Sequence, residues 1–409
     1  MHIAMLSAEF PPRWGGMGST VFHLSAALVN RGHRVTVITR SGAGKPPNQE
    51  GVDVIEVGWM RIPMEFTRSY GRRAISELEK LNERLNVDVV HLHCPMISWA
   101  TPQFHRCIQN IAPVVSSLHG SWLGERDGLL EASMAKEAAV WANVNDIAIR
   151  FTAERYAKFE NIAIRESSIC VANSRATRED FESRYNPPSN WDCEVVHWGV
   201  DTEIFRPSDI ENEEENRKFT EIRNRFGAVS PRSKLLLAVG RLAARKGYGT
   251  LIRGFSALNK EMPNTKLVIV GRGHLKRRLM RLAKSLGVGE DVTIESSLSF
   301  AELAQLYRSS DLVVYPSFYE GQGLIPLEAM ASGVPVVTVD HGPLPEMVDE
   351  SVGALFTMGN IESMVSVMKE VLKVGRKKGE KGRARVLQKF TYSGNAESFE
   401  NIYLEAINR

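Results

Sequence analysis

Short apolar runs alternate along this chain with longer stretches in which apolar residues recur every three or four positions. The short runs predict buried strands, and the longer stretches predict amphipathic helices. Residues 3–7 are such a run, and residues 19–30 predict a helix with Val21, Leu24 and Leu28 on one face. Apolar strands separated by helices are typical of a parallel sheet that is covered on both faces.

The same alternation continues along the whole chain. In the first half it predicts strands at residues 35–38, 52–57, 87–92, 114–118, 168–172 and 194–196, and a broken helical stretch at residues 129–166. In the second half it predicts strands at residues 234–239, 267–270, 292–294, 312–315 and 334–338, and a helix at residues 247–258. We therefore predict an α/β protein with two successive doubly wound sheets, in which ligands bind at the carboxyl ends of the strands.

A charged stretch separates the two series of strands. Residues 207–232 are polar, and this shift in composition predicts a domain boundary, with one domain at residues 1–206 and a second from residue 207. The length of 409 residues also favours two domains.

Composition and charge indicate which partners and which cellular compartment to expect. A net charge of +3 is too small to indicate nucleic acid, but it suits a small anionic ligand. The four cysteines, Cys94, Cys107, Cys170 and Cys193, are scattered, which favours a reducing compartment over a disulfide or zinc framework. No signal peptide pattern and no apolar run of membrane-spanning length stands out, so we expect a cytoplasmic protein.

The most informative stretch is residues 315–330, where a strand leads through a loop into a helix. Glu320 lies in the predicted loop, and Glu328 lies on the predicted helix. Carboxylates accept hydrogen bonds from neighbouring hydroxyl groups, so the two acids suit the hydroxyls of a sugar and a ribose. The helix is expected to begin near Gly323.

The start of that helix predicts an anion site. The backbone amides of Gln322, Gly323 and Leu324 have no partner within the helix, and the helix dipole favours negative charge beside them. Sugar-binding acids beside an anion site predict a nucleotide-sugar ligand. An ordinary surface carboxylate is the alternative interpretation of Glu328.

A second motif places cations after a strand. Arg241 and Lys246 follow the strand that ends at Gly240, and fixed cations stabilise the charge that develops on a departing diphosphate. Arg245 lies between them and is expected to be exposed. A solvated basic loop is the alternative interpretation.

These motifs resemble those of the retaining GT-B-fold glycosyltransferases of family 4 and glycosyl transferases group 1, relatives of sucrose, trehalose and glycogen synthases. Glu320 and Glu328 match the E-x7-E signature, residues 329–336 match the A-M-x-x-G-x-P-V that follows it, and residues 240–247 match G-R-x4-K-G. The resemblance implies two Rossmann-like domains with a cleft between them. The second domain would extend over residues 207–392, and a last helix at about 393–409 would rejoin the first.

The resemblance also implies roles for single residues. Glu320 would contact the transferred hexose and Glu328 the ribose, while the Gly15–Gly16 turn would donate the Gly16 amide to the phosphates. His119 would lie near the hexose, with a structural histidine as the alternative.

Two further positions are less specific. Gly271 ends a strand and is expected to pass near the nucleotide, and His93 shares a strand face with His91, which favours a structural or acceptor-side role. The family's base pocket lies near residues 295–298, where this chain lacks the common pattern, so the donor could be a UDP-, ADP- or GDP-hexose.

The sequence thus predicts a metal-independent, retaining hexosyltransferase without a cofactor, in which Glu320, His119, Arg241 and Lys246 act on the reacting groups. A sugar, a polyol, a glucan or a lipid-linked molecule would be the acceptor. A nucleotide-sugar epimerase and a non-catalytic nucleotide-sugar-binding protein are the alternatives. Residues 59–73 mix aromatic and basic side chains, which favours a helix packing face over peripheral contact with a lipid surface.

Overall fold

The computed structural model describes residues 1–13, 15–137, 143–209 and 211–409, and the backbone alone at Arg376. The chain divides into two compact units. Unit 1 comprises Met1–Arg126, Val144–Gly199 and Tyr392–Arg409, and unit 2 comprises Asp127–Asn143 and Val200–Thr391.

Each unit is built on one parallel sheet. The strands of unit 1 are β1 (His2–Leu6), β2 (Arg34–Arg40), β3 (Val52–Val57), β4 (Val89–Cys94), β5 (Val114–Leu118), β6 (Ile169–Ala172) and β7 (Cys193–Val195). The strands of unit 2 are β8 (Lys234–Val239), β9 (Thr265–Val270), β10 (Val292–Glu295), β11 (Leu312–Tyr315), β12 (Val336–Val339) and β13 (Gly353–Phe356). Within the described residues the orders are β3-β2-β1-β4-β5-β6-β7 and β10-β9-β8-β11-β12-β13.

Helices connect these strands. They are α1 (Gly16–Asn30), α2 (Glu65–Arg84), α3 (Thr101–Asn110), α4 (Trp122–Met134), α5 (Val144–Glu166), α6 (Arg175–Tyr185), α7 (Glu213–Arg225), α8 (Tyr248–Glu261), α9 (Lys276–Ser285), α10 (Phe300–Ser309), α11 (Leu324–Ala331), α12 (Leu344–Met347), α13 (Ile361–Val374), α14 (Arg376–Lys389) and α15 (Tyr392–Asn408). None of the helices within the described ranges combines the length and the apolar character that crossing a bilayer requires.

The prediction of two doubly wound parallel sheets is confirmed. The strands most clearly predicted are apolar because helices cover both sheet faces, and every residue of β5 is buried. The predicted helical stretch at residues 129–166 holds the end of α4 and the whole of α5, and residues 138–142 within it lie outside the described residues.

One helix begins earlier than predicted. Helix α1 starts at Gly16, not at residue 19, because the extended residue Gly15 acts as its N-cap and accepts a 2.9 Å hydrogen bond from the Ser19 amide. Two glycines and a methionine do not carry the side-chain capping signal that usually marks a helix start. Trp14, in the same loop, lies outside the described residues.

The charged stretch at residues 207–232 belongs to unit 2, and the preceding segment of unit 1 ends at Gly199. It contains α7, which is held to the sheet by Arg223. The Arg223 guanidinium donates to the Asp311 carboxylate at 2.9 Å and to the Ser233 carbonyl oxygen at 2.8 Å. A stretch that looks like a linker in composition is therefore a docked helix.

Part of the aromatic and basic stretch at residues 59–73 contributes to packing, while Met60 and Ile62 are exposed. The Arg40 guanidinium lies over the rings of Trp59 and Phe66, at 4.6 and 4.4 Å, and the Tyr70 hydroxyl donates to the Ile38 carbonyl oxygen at 2.6 Å.

The strand order places the candidate site. In unit 2, β8 lies between β9 and β11, so the chain connections leave β8 and β11 in opposite directions. In sheets of this type the general rule places a ligand crevice between the loops that follow two such strands, at their carboxyl ends. Residues 240–247 form the first of these loops, and residues 316–323 form the second.

Candidate active site

Lys246 and Glu320 form a buried ion pair between the two crevice loops of unit 2. The Lys246 ammonium donates to the Glu320 carboxylate and, at 3.1 Å, to the Tyr315 hydroxyl. The Ser317 hydroxyl donates to the same carboxylate at 2.5 Å. The side chains of Lys246 and Glu320 are only 10% and 13% exposed, so bulk water screens their charges weakly.

The surroundings keep both members of this pair charged. Burial raises the pKa of Glu320, but the nearby charges of Lys246 and Arg245 outweigh it and lower that pKa to about 2. Burial lowers the pKa of Lys246 to about 8, and the Glu320 charge opposes a larger decrease. At pH 7 the carboxylate is ionised and the ammonium is largely protonated.

The expectation that Arg245 is exposed is wrong. Its side chain is 12% exposed, its guanidinium lies 3.7 Å from the Glu320 carboxylate, and it donates to the Tyr319 carbonyl oxygen at 3.2 Å. The Arg245 carbonyl oxygen in turn accepts from the Phe318 amide at 2.8 Å. Pairing between the two crevice loops therefore draws this cation inward, which its local sequence does not reveal.

Gly247 allows the two loops to approach each other. Its φ is +72°, and a Cβ atom there would overlap the Pro316 carbonyl oxygen. Backbone geometry thus requires the last glycine of the G-R-x4-K-G motif.

The other end of the second loop leads into α11. Gly323 has a φ of +95° and precedes the helix, and Leu324 is its first residue. Gln322 is buried and its side-chain amide contacts the Met347 sulfur at 3.8 Å. The predicted anion site therefore maps to the N-terminus of α11, where the first amides point away from the helix body.

Glu328 is a half-buried residue of α11, not a fully solvated one. Its carboxylate accepts a 2.6 Å hydrogen bond from the Tyr307 hydroxyl. Burial raises the pKa of Glu328 to about 7, while the hydrogen bond from Tyr307 acts in the opposite direction. This acid therefore titrates near neutral pH.

Arg241 and Gly271 lie at the ends of adjacent strands. Arg241 is exposed. A Cβ atom at Gly271 would overlap the Gly240 carbonyl oxygen, so close packing of the two strand ends already requires this glycine. Contact between Gly271 and a nucleotide stays a prediction.

Unit 1 carries the predicted glycine turn and His119. A Cβ atom at Gly15 would overlap the Glu9 carboxylate, whereas the space beside Gly16 is open within 4 Å. Gly16 is the first residue of α1, so its amide lies at a helix N-terminus as the phosphate prediction requires.

His119 belongs to a stack of aromatic rings. Its ring lies parallel to Trp198, at 5.1 Å between centroids, and its Nε2 atom lies 3.0 Å from His93 Nδ1. Burial lowers the pKa of His119 to about 3, so the imidazole is neutral at pH 7. His91 and His93 share one strand face as predicted, and His91 is bonded to Ser117 at 2.7 Å.

Several supporting residues were missed by sequence analysis. Ser317 and Tyr315 could have been singled out because they flank the Glu320 motif, but nothing in the sequence connects Tyr307 with Glu328. Glu137 was missed too, and it accepts from the Gly249 amide at 2.9 Å and the Thr250 hydroxyl at 2.6 Å, which caps the start of α8.

Two family models match the chain. Residues 220–386 match the family model of glycosyl transferases group 1, and residues 14–204 match that of glycosyltransferase family 4. An uncharacterized glycosyltransferase of Methanocaldococcus jannaschii is 32% identical over 87% of this chain and 85% of its own.

Solved structures share the fold. Sucrose-phosphate synthase from Thermosynechococcus elongatus superposes with a TM-score of 0.79 at 20% identity, over 99% of this chain and 98% of that one. Anabaena HepE, solved in complex with UDP and glucose, gives a TM-score of 0.71 at 18% identity, over 99% of this chain and 100% of that one. The chain therefore belongs to the glycosyl transferases group 1 and family 4, and its two units are the Rossmann-like domains of a GT-B glycosyltransferase.

Proposed function

We propose that this glycosyltransferase moves a hexose from a nucleoside-diphosphate sugar to an acceptor hydroxyl group, with retention of configuration at the anomeric carbon. The observation that carries the proposal is the buried Lys246–Glu320 pair at the carboxyl ends of β8 and β11, beside the N-terminus of α11.

The charges at this position suit a diphosphate. Lys246, Arg245 and Arg241 lie in one loop, and Lys246 and Arg245 lie beside the Glu320 carboxylate. The cations of this loop, together with the α11 dipole, would stabilise the negative charge that grows on the diphosphate as its bond to the sugar breaks.

Glu320 fits the role of a hydrogen-bond acceptor for the hexose. A carboxyl group with a pKa of about 2 holds no proton to donate at neutral pH. We therefore assign the proton transfer to the substrates: the acceptor oxygen forms its bond to the anomeric carbon, the bond to the diphosphate breaks, and the departing phosphate oxygen takes the acceptor proton. Glu320 would accept from the sugar hydroxyls and keep Lys246 in place.

His119 fits a neutral hydrogen-bonding role on the hexose side. A histidine whose pKa is lowered to about 3 does not act as a general acid at pH 7. Its Nε2 atom is engaged by His93, which leaves Nδ1 for a hexose hydroxyl.

The proposed mechanism does not use a metal ion. Many nucleotide-sugar enzymes hold the diphosphate through a divalent cation bound by an Asp-x-Asp pair, and the sequence contains no such pair. We assign the charge-neutralising task to Arg241, Lys246 and the amides of Gly16, Gly323 and Leu324.

Donor and acceptor are best identified by a matrix of UDP-, ADP- and GDP-hexoses against sugars, polyols, glucans and lipid-linked sugars, read by mass spectrometry. Since HepE was solved with UDP and glucose, UDP-glucose is the first donor to test. We expect one product that grows by a hexose mass and keeps the anomeric configuration of the donor, as read by NMR. Conversion of the donor in the absence of any acceptor would instead indicate an epimerase, and binding without turnover would indicate a sensor.

A further inference from the structure

Tyr307 is a buried side chain whose hydroxyl contacts a residue of the candidate site. It lies on α10, which packs against α11, and its ring is fully buried, with Phe205 packed edge-on at 5.4 Å. Its hydroxyl donates to Glu328 Oε2 at 2.6 Å. The phenol ring is thus fixed by packing, and its hydroxyl is directed at the carboxylate that the E-x7-E motif supplies.

We propose that Tyr307 is a positioning residue of the nucleotide subsite, which holds the Glu328 carboxylate oriented and ionised so that it accepts hydrogen bonds from the ribose hydroxyls. The inference rests on the proposed function, in which Glu328 binds ribose. It adds that ribose recognition depends on a second, buried residue that does not touch the ligand.

The hydrogen-bonding capacity of Glu328 supports this role. An ionised carboxylate offers about four lone-pair positions, of which Tyr307 uses one on Oε2. The Oε1 atom remains available to a ribose hydroxyl. A protonated carboxyl group would carry an O–H donor and would therefore offer fewer acceptor positions to the ribose hydroxyls. Loss of the Tyr307 hydroxyl therefore weakens the ionised form that ribose needs.

The groups around Glu328 make its charge sensitive to this one bond. Burial raises the pKa of Glu328 to about 7, and the Tyr307 hydrogen bond lowers it. Tyr315 from β11 and Tyr248 from α8 face the Tyr307 phenol, and burial raises the pKa of all three phenols, so they stay neutral. On the α14 side, the Arg383 guanidinium is bonded to the Ala331 carbonyl oxygen at 3.0 Å.

The test compares ribose recognition in wild type and Tyr307→Phe across pH. Affinity for UDP is divided by affinity for 2′,3′-dideoxy-UDP, by calorimetry from pH 6 to 9, with the ADP and GDP pairs in parallel. The ratio cancels the titration of Lys246, which acts on the phosphates in both ligands. We expect it to rise with pH as Glu328 ionises, and the midpoint of the rise to lie at higher pH in the variant. At pH 7 the variant should lose several-fold in the ratio.

Two controls separate positioning from simple destabilisation. Tyr70→Phe removes another buried hydroxyl, which donates to the Ile38 carbonyl oxygen at 2.6 Å in unit 1, and it should leave the ratio and its midpoint unchanged. Glu328→Gln should give a ratio that does not vary with pH, and adding Tyr307→Phe to it should restore no pH dependence. Thermal unfolding of the two phenylalanine variants provides the stability comparison.

The position of the midpoint in Tyr307→Phe tests the inference directly. A raised midpoint in Tyr307→Phe alone supports the inference, and an unchanged midpoint overturns it while leaving the proposed function intact. A wild-type protein that binds ribo- and dideoxynucleotides equally would overturn both this inference and the assignment of Glu328 to ribose.

Discussion

Replacement of Lys246 by methionine should separate the stability of this enzyme from its activity. Methionine keeps most of the length of the side chain but removes the ammonium, which leaves the Glu320 carboxylate without its main partner in a site where both side chains are nearly buried. Breaking a buried pair from one side costs about 3–5 kcal/mol. Because Glu320 keeps Ser317 at 2.5 Å and Arg245 at 3.7 Å, we expect the lower end, about 3 kcal/mol.

The expected loss of kcat in Lys246→Met has a different origin from the loss of stability, namely the missing charge beside the diphosphate. Removing one preorganised donor beside a developing anion typically costs about 100- to 1,000-fold in kcat. We expect a decrease of that size for Lys246→Met, measured as release of nucleoside diphosphate at saturating donor. The double variant Lys246→Met/Glu320→Gln should recover much of the stability, because no unpaired carboxylate remains, and it should recover none of the activity.

An exposed pair provides the control. Lys80 lies 2.8 Å from Glu77 on α2, and Lys80 is 62% exposed, so Lys80→Met should change stability by less than about 1 kcal/mol and leave kcat unchanged. A Lys246→Met enzyme with wild-type kcat would refute the assignment of this cation to the diphosphate. A double variant that is no more stable than the single one would refute the argument from an unpaired carboxylate.

Three further predictions follow from the same site. The pH profile of kcat/KM should be bell-shaped. Ribose binding is lost at low pH as Glu328, with a pKa of about 7, is protonated, and the diphosphate contact is lost at high pH as Lys246, with a pKa of about 8, is deprotonated. A flat profile from pH 5 to 10 would contradict both assignments. Glu320→Ala should lower kcat strongly, whereas Glu328→Ala should mainly raise the Kd for free nucleoside diphosphate, and calorimetry with steady-state kinetics distinguishes these effects. Turnover should survive excess EDTA, and Lys246→Ala should not be rescued by added Mg²⁺; loss of wild-type activity in EDTA that added metal restores would reveal a missed carboxylate ligand.

Much of the fold could be predicted from the sequence, because a strand that is buried on both sheet faces is a continuous run of apolar residues. Strands β5 and β8 were predicted to the residue, since their apolar runs end where the backbone leaves the sheet. The start of α1 was not, because a glycine N-cap has no side chain to recognise.

Only part of the candidate site could be predicted from the sequence. Glu320, Lys246 and Glu328 stand out as charged residues at meaningful spacings, and the parallel order of β8 and β11 places the first two in adjacent loops. Arg245 was misjudged because exposure was inferred from neighbouring charges, while the structure buries it through backbone pairing between loops that lie far apart in the sequence.

The residues that sequence analysis missed share one physical property: each acts through a tertiary hydrogen bond to a group in another element. Tyr307 reaches Glu328 from a neighbouring helix, and Glu137 caps α8 from a segment far upstream in the chain. In the sequence, a buried tyrosine looks like core and a glutamate in a helical stretch looks like surface. Tertiary packing, such as that of α10 against α11, brings these residues to their partners, where a neutral phenol can donate a hydrogen bond to an acid. In the proposed function, the E-x7-E spacing thus identifies the acids that would bind the donor, while residues outside the motif, such as Tyr307, would influence the protonation state of those acids.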